Sequence, residues 1–339
     1  MDYFGLDLGT SLIKAVQLKN EKGQLILVAA GLIPTPPKGL ISEAPLDQEA
    51  VAEAVKKLLA QAKITSKKVN SALPDAQVFS RVIELPLLSE KELESALKWE
   101  AEQYIPFPME EVNLDFVILE KNEKTKKMEV LIVAAPIRLI EKYTKILKLA
   151  GLTPISLETE IIAVSRAVSH QTSPEETVMV VNLGGSTSNF SIIKKGVFSF
   201  AGSIASGGEA LTRAIGQELG VDLEQAEEYK KTYGLETERL EGKVLTAIEP
   251  VMNKVVEEIR KALSFYQEKN PSDKVNSLVI TGGTARLPGL APYLTQNLGM
   301  ETQIGRIQSK IQIDPQKFTA FINNSVVYMT ATGLALREN

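Results

Sequence analysis

Leu6-Asp7-Leu8-Gly9-Thr10-Ser11, near the start of the chain, returns in altered form near its middle as Val181-Asn182-Leu183-Gly184-Gly185-Ser186. Each copy is an apolar strand that ends in a Gly-bearing turn. After each come a second strand, a charged turn (Glu21-Lys22-Gly23; Lys195-Gly196) and a third strand. Both therefore read as antiparallel meanders and not as a βαβ start. Two such hairpins are common enough to arise separately, but here the helices and strands that follow them also form two cycles. The pattern predicts strands over 2–8, 11–19 and 24–32, then a helix over 47–62. The second cycle predicts strands over 178–183, 188–194 and 197–203, then helices over 208–219, 222–232 and 243–269. A buried strand over 277–281 and a closing helix over 325–336 complete it.

Between the cycles, residues 75–156 have a strand–helix–strand–strand–helix pattern with no counterpart in the second half. Ser89-Glu90-Lys91-Glu92 carries the capping-box pattern that starts its first helix. Ile105-Pro106-Phe107-Pro108 stops that helix. The expected organisation is a first-lobe core of 1–74, completed by 157–176 and 325–339. It carries an inserted subdomain at 75–156 and is followed by a second lobe of 177–324 with a helical part at 206–274.

Bulk properties narrow the chemistry. With 339 residues and 44% hydrophobic content the chain can bury more than one core. A net charge of −4 announces no nucleic-acid surface. The chain has no Cys, which excludes disulfides and thiolate chemistry, and its one His, His170, lies in a polar stretch. No secretory signal and no apolar run of about 20 residues is visible, so a soluble cytoplasmic protein is expected.

The two turns Gly9-Thr10-Ser11 and Gly184-Gly185-Ser186-Thr187 offer consecutive backbone N–H groups and hydroxyls, the makings of anion nests. A P-loop spacing and a GxGxxG after the first strand are both absent. A third Gly-bearing turn, Thr281-Gly282-Gly283-Thr284-Ala285-Arg286, ends a buried strand. Either hairpin turn alone is ordinary; three in this order are not.

In this order Asp7-Leu8-Gly9-Thr10, Asn182-Leu183-Gly184-Gly185-Ser186-Thr187 and Thr281-Gly282-Gly283-Thr284-Ala285 resemble the phosphate-1, phosphate-2 and adenosine motifs of the actin, heat-shock chaperone and sugar kinase superfamily. Ala226-Glu227-Glu228-Tyr229-Lys230 is similar to its adenosine-holding helix, although alone it would read as a solvated face. Within the superfamily the resemblance is to the PilM family of type IV pilus assembly. It is carried by Gly9-Thr10-Ser11-Leu12-Ile13-Lys14, Leu85-Pro86-Leu87-Leu88-Ser89, Trp99 to Pro108, and Gly333-Leu334-Ala335-Leu336-Arg337.

The resemblance implies a two-lobed actin-like (ribonuclease H-like) α/β nucleotide-binding fold. It implies ATP held by Gly9, Thr10, Ser11, Lys14, Gly184, Gly185, Ser186, Thr187, Gly208, Glu227, Lys230, Gly282, Gly283, Thr284 and Arg286. Mg²⁺ would be held through water by Asp7 and Asn182. The family carries Asp where Asn182 stands, so hydrolysis is expected to be slow or absent. Glu158 is the candidate for orienting a water, with Glu160 beside it and a plain helix-start acid as the ordinary alternative for both. The implied function is an ATP-binding scaffold of the type IV pilus, or related type II secretion, inner-membrane assembly complex. It would dock the cytoplasmic tail of a PilN-type membrane protein between the first lobe and the insert and so stay peripheral to the inner membrane. Arg81, Trp99, Tyr104 and Phe107 are the partner-binding candidates, with core packing as the alternative for Trp99 and Phe107. The other readings are an FtsA-like division protein and a small-molecule kinase of the superfamily.

Overall fold

The computed structural model describes residues 2–307 and 310–338, with the backbone alone for Glu90 and Lys98. The first cycle runs β1 (Phe4–Leu8), β2 (Leu12–Glu21), β3 (Gln24–Pro34), α1 (Pro45–Ala62) and β4 (Lys68–Leu73). The insert follows as β5 (Phe79–Pro86), α2 (Glu90–Glu102), β6 (Val112–Asn122) and β7 (Lys127–Pro136). Then come α3 (Ile137–Leu149), β8 (Thr153–Thr159) and α4 (Glu160–Ser169). The second cycle has β9 (Thr177–Leu183), β10 (Ser188–Lys194), β11 (Val197–Ile204), α5 (Gly208–Leu219), α6 (Leu223–Tyr233), α7 (Lys243–Lys269) and β12 (Ser277–Thr281). The chain ends with α8 (Leu290–Leu298), β13 (Glu301–Ile304), β14 (Ile311–Gln312), α9 (Thr319–Asn323) and α10 (Met329–Ala335).

Two sheets share one plan. The first is ordered β14-β3-β2-β1-β4-β8 and the second β11-β10-β9-β12-β13. In each, the antiparallel meander is extended by parallel strands, β4 and β8 in one and β12 and β13 in the other. The repeat seen in the sequence is therefore a repeat of topology. The meander strands next to the parallel ones, β1 and β9, are buried throughout and mostly apolar, with Asp7 and Asn182 the polar residues near their C-terminal ends.

Three features differ from the sequence expectation. Thr153–Thr159 is a strand pairing with β4, although its Pro154 and polar residues gave no strand signal. The insert ends earlier than 156, because Leu139, Tyr143, Ile146 and Leu147 of α3 bury into the first lobe's core while the insert's own core uses residues from Ile83 to Ala134. Ile311–Gln312, within the span assigned to the second lobe, pairs with β3 of the first sheet. The expected capping box is present: Glu92 N–H donates to Ser89 Oγ, and Ser89 N–H to the Glu92 carboxylate.

Candidate nucleotide cleft and docking groove

The β1–β2 and β9–β10 turns have the same closure. Gly9 N–H donates to Leu12 O at 3.2 Å and Gly184 N–H donates to Thr187 O at 3.1 Å. A Cβ on Gly9 would stand 2.8 Å from the Leu12 carbonyl, and one on Gly184 2.7 Å from the Thr187 carbonyl, so both turns require glycine. The turns face each other across the lobes, and Ser186 Oγ donates to Thr10 Oγ1 at 3.3 Å. The third turn joins the second at Thr284, whose Oγ1 donates to Gly184 O at 3.1 Å. Gly282 has φ +87° and would drive a Cβ to 2.5 Å from Leu183 O, whereas the space over Gly283 is open. Arg286 is exposed on this turn.

Helices α5 and α6 close the far side. Lys230 Nζ donates to Glu227 Oε2 at 2.5 Å, Thr212 Oγ1 at 2.7 Å and Gly208 O at 3.0 Å. Burial opposes the charge of Glu227, but the hydrogen bonds from Lys230 and Thr212 outweigh it and hold this carboxyl below the usual range. The geometry thus brings Thr10, Gly184, Ser186, Gly208, Thr284 and the Glu227–Lys230 pair close together. Lys14 lies one strand in, ion-paired with Asp7 at 2.7 Å.

Asn182 Oδ1 accepts from Thr281 Oγ1 at 3.2 Å. Among the described residues no group of three or more acidic, His or Cys side chains could cage a metal ion. Asp7 and Asn182 fit a hard cation that brings phosphate oxygens and waters of its own and that touches one protein carboxylate.

The acid next to the cleft is not Glu158. That carboxylate accepts both guanidinium N–H groups of Arg166, at 2.6 and 2.7 Å, and Arg337 Nη1 at 2.8 Å. It is a bidentate structural tie between β8, α4 and the chain's end. Glu160, two residues on, starts α4 and points the other way, accepting from Asn189 Nδ2 of β10 at 3.1 Å. Burial, reinforced by the charges of Asp7 and Asp75, pushes its pKa well above the usual carboxylate range.

Asp75, which no sequence pattern marked, follows β4 and accepts from Ile161 N–H at 3.0 Å, capping the start of α4. Burial raises its pKa to about 7. The folded value lies above that of an exposed Asp, so the stability it contributes is complete below about pH 4 and is lost as pH rises through 7. Thermal melts at pH 5 and pH 8 should show wild type losing stability. Asp75→Asn keeps an acceptor for Ile161 and should flatten the slope, and it should be the more stable protein at pH 8 by about 2–4 kcal/mol. Equal slopes in both proteins would place the proton elsewhere.

A groove of about 810 Å³ lies between the insert and the first lobe, and Gly196 and Phe198 of the second lobe also line it. Val117 of β6, Leu131 and Val133 of β7, Ile155 and Leu157 of β8 and Ile162 of α4 give it an apolar lining. Both β6 and β8 are edge strands of their sheets.

The family profile described as type IV pilus assembly protein PilM matches residues 5–339. The chain belongs to the PilM family. A solved PilM–PilN type IV pilus biogenesis complex matches with a TM-score of 0.88 and 28% identity, over 99% of this chain and 98% of that one. Ethanolamine utilization protein EutJ of Escherichia coli strain K12 is 25% identical over 140 residues. That match covers 40% of this chain and 45% of EutJ, so the chain spans less than half the length of this curated relative. Cell division protein FtsA of Enterococcus faecalis is 22% identical over 328 residues, 85% of this chain and 74% of FtsA. FtsA is thus a distant relative, and the family match over nearly the whole chain is to PilM. The fold is the two-lobed actin-like one. Among the described residues no helix is long and apolar enough to cross a membrane.

In this PilM-family chain the four partner candidates do not line the groove. Phe79, Ile83 and Leu85 of β5 point to the α2 side, into one core with Leu93 and Leu97, and strand alternation puts Arg81 on that side too. There its guanidinium stacks over the Tyr104 ring at 4.4 Å. Trp99 is 77% exposed and Phe107 36%, so neither is a core residue. Of Val117, Leu131, Val133, Ile155, Leu157 and Ile162 only those of β6 and β7 lie in stretches that read as strands, and nothing local marked the groove, because its apolar lining comes from separate stretches of chain.

Proposed function

We propose that this PilM-family chain is an ATP-binding scaffold of a type IV pilus inner-membrane assembly complex, docking an extended cytoplasmic tail of a PilN-type membrane protein. The observation that carries the docking half is the groove, with its apolar walls and two unpaired strand edges. An extended peptide can take main-chain hydrogen bonds from such an edge and place alternate side chains in the apolar lining. Likeness to a solved PilM–PilN complex supports the partner class. Through that partner the chain would sit at the cytoplasmic face of the inner membrane.

The nucleotide half rests on the cleft. The turns at Gly9–Ser11 and Gly184–Thr187 supply donors for phosphates from two sides. Gly283 leaves room for a base, and Glu227 with Lys230 suits a ribose and adenine edge. Mg²⁺ would offset phosphate charge, with Asp7 the carboxylate nearest to hold its waters. Glu160 replaces Glu158 as the acid able to face a water. With Asn182 uncharged and Glu160 favouring its protonated form, hydrolysis is slow at most.

Differential scanning fluorimetry tests this half. Saturating ATP with Mg²⁺, at about 100 times Kd, should stabilise by about 2.7 kcal/mol. That is a rise in Tm of several degrees at this size. Gly283→Trp should abolish the shift by filling the open space without disturbing a packed neighbour. A wild-type protein indifferent to millimolar ATP, ADP and their Mg²⁺ complexes would end the nucleotide reading. Calorimetry with a synthetic PilN-type tail tests the docking half separately.

A further inference from the structure

Segments 63–68 (Lys-Ile-Thr-Ser-Lys-Lys) and 145–151 (Lys-Ile-Leu-Lys-Leu-Ala-Gly) contain five lysines, no acid, no Arg and no aromatic residue. They are far apart in the chain, and the fold joins them. Helix α1 ends at its C-cap Lys63 and leads directly into β4, and α3 ends at Leu149 and leads directly into β8. The strands β4 and β8 are parallel neighbours that start level, Lys68 beside Thr153, and Thr153 N–H donates to Lys67 O at 2.8 Å. Helices α1 and α3 also pack on each other. Both helix C-termini and both strand starts therefore meet at one edge of the first lobe. Lys63, Lys67, Lys68, Lys145 and Lys148 are all exposed there.

Like charges gathered without counter-ions repel each other. Among the described residues only Lys68 of the five is ion-paired, to Asp2 at 3.2 Å. The chain as a whole carries a net charge of −4, so this edge is a local reversal of sign. Strands β1 and β4 run parallel, which puts the edge at the opposite end of the sheet from the Gly9 turn, clear of the nucleotide cleft. Pro154 and Ile155, next after Thr153, line the docking groove. The groove thus reaches this edge.

We propose that these five lysines form a face that lies against an anionic lipid leaflet, holding the chain to the bilayer and aiming the groove at it. A flexible Lys is a hydrated point charge with no forked donor geometry, which suits diffuse phosphate headgroups better than one shaped ligand. Without Arg or aromatic side chains the face also lacks what reads or stacks on nucleic-acid bases. A tail entering the groove from a membrane-embedded partner would start within reach of the same leaflet. The inference deepens the docking reading, but its test uses vesicles that carry no protein, so either can fail alone. The plain alternative is that Lys63 and Lys148 complement the dipoles of their helices and the other lysines are merely solvated. That alternative predicts no affinity for lipid.

Co-sedimentation of the full chain with vesicles decides between them. Vesicles of phosphatidylcholine with about 30% phosphatidylglycerol should bind wild type at low salt, whereas pure phosphatidylcholine should not. Raising salt to about 0.5 M should release the protein, because these charges are exposed. Each Lys near an anionic surface is worth about fivefold in affinity, so K63Q/K67Q/K148Q should weaken partitioning about a hundredfold. K68Q/K145Q spares Lys63 and Lys148 and should weaken it about twenty-fivefold, which separates lipid contact from any effect on the helix ends. K121Q/K124Q/K126Q removes three charges from the β6–β7 hairpin of the insert and should bind as wild type does. Equal losses in the two triple variants would reveal a general charge effect and overturn the proposal. So would a wild type that ignores anionic vesicles at low salt, or that binds both kinds of vesicle alike. A wild type that ignores vesicles but holds a DNA duplex through the same lysines would give the face to nucleic acid and overturn it too.

Discussion

Gly333→Val should be the most damaging single substitution in the first lobe, costing about 4 kcal/mol or more and leaving little folded protein at 37 °C. The C-terminal helix α10 lies against both β1 and α4, and it can do so only because glycines stand at the crossings. A Cβ at Gly333 would lie 1.8 Å from the Ala163 carbonyl oxygen, and one at Gly5 of β1 would lie 2.1 Å from Ala331 O. Both obstacles are backbone, which cannot rotate away as a side chain can. Arg166 Nη1 also donates to Gly333 O at 2.7 Å, so a displaced α10 would loosen the Glu158–Arg166–Arg337 tie as well. Ordinary overpacking of a core costs about 1–3 kcal/mol because neighbouring side chains yield; here nothing adjacent can. Urea denaturation followed by circular dichroism measures the loss. A penalty below about 1 kcal/mol would mean that α10 can slide without cost and that the close contact is unimportant to the fold.

Val117→Arg combined with Ile155→Arg should weaken binding of a PilN-type tail peptide about thirtyfold or more while sparing the fold. Val117 is 55% exposed on the edge strand β6, and Ile155 is 41% exposed on the edge strand β8. Large apolar residues so exposed on facing edges have little to lose in the free protein. Placed against a buried peptide side chain, two new charges forfeit the burial of an interface anchor, typically about 2 kcal/mol or more. The melting temperature and the ATP-induced shift should stay as in wild type, since neither residue belongs to a packed core or to the three turns. Trp99→Ala with Tyr104→Ala, on the α2 side of the insert, is the matched control. If the control loses the peptide and the groove variant keeps it, docking belongs to the α2 face of the insert and not to the groove.

What the sequence determined by itself was whatever short-range backbone geometry dictates. The glycines at 9, 184 and 282 are demanded by close approach or positive φ within a few residues, so the three turns and their order could be read before any fold was known. The Ser89–Glu92 capping box and the paired meanders are local in the same sense. The tertiary structure alone decided which way functional side chains face. Glu158 and Glu160 flank a strand-to-helix junction, and the sequence offers no reason to prefer one. Arg166 and Arg337 claim the first, while Asn189 from the other lobe and the charge of Asp7 surround the second. Trp99 looked like part of a partner-binding surface in the groove, yet α2 covers the opposite face of the insert sheet, and the groove is lined from β6, β7, β8 and α4 instead. Asp75 gains its role from a neighbour distant in sequence, Ile161. Turns and caps are set by contacts within about four residues; the facing of a carboxylate or the lining of a groove is set by contacts between residues tens to hundreds of positions apart, where no local pattern records them.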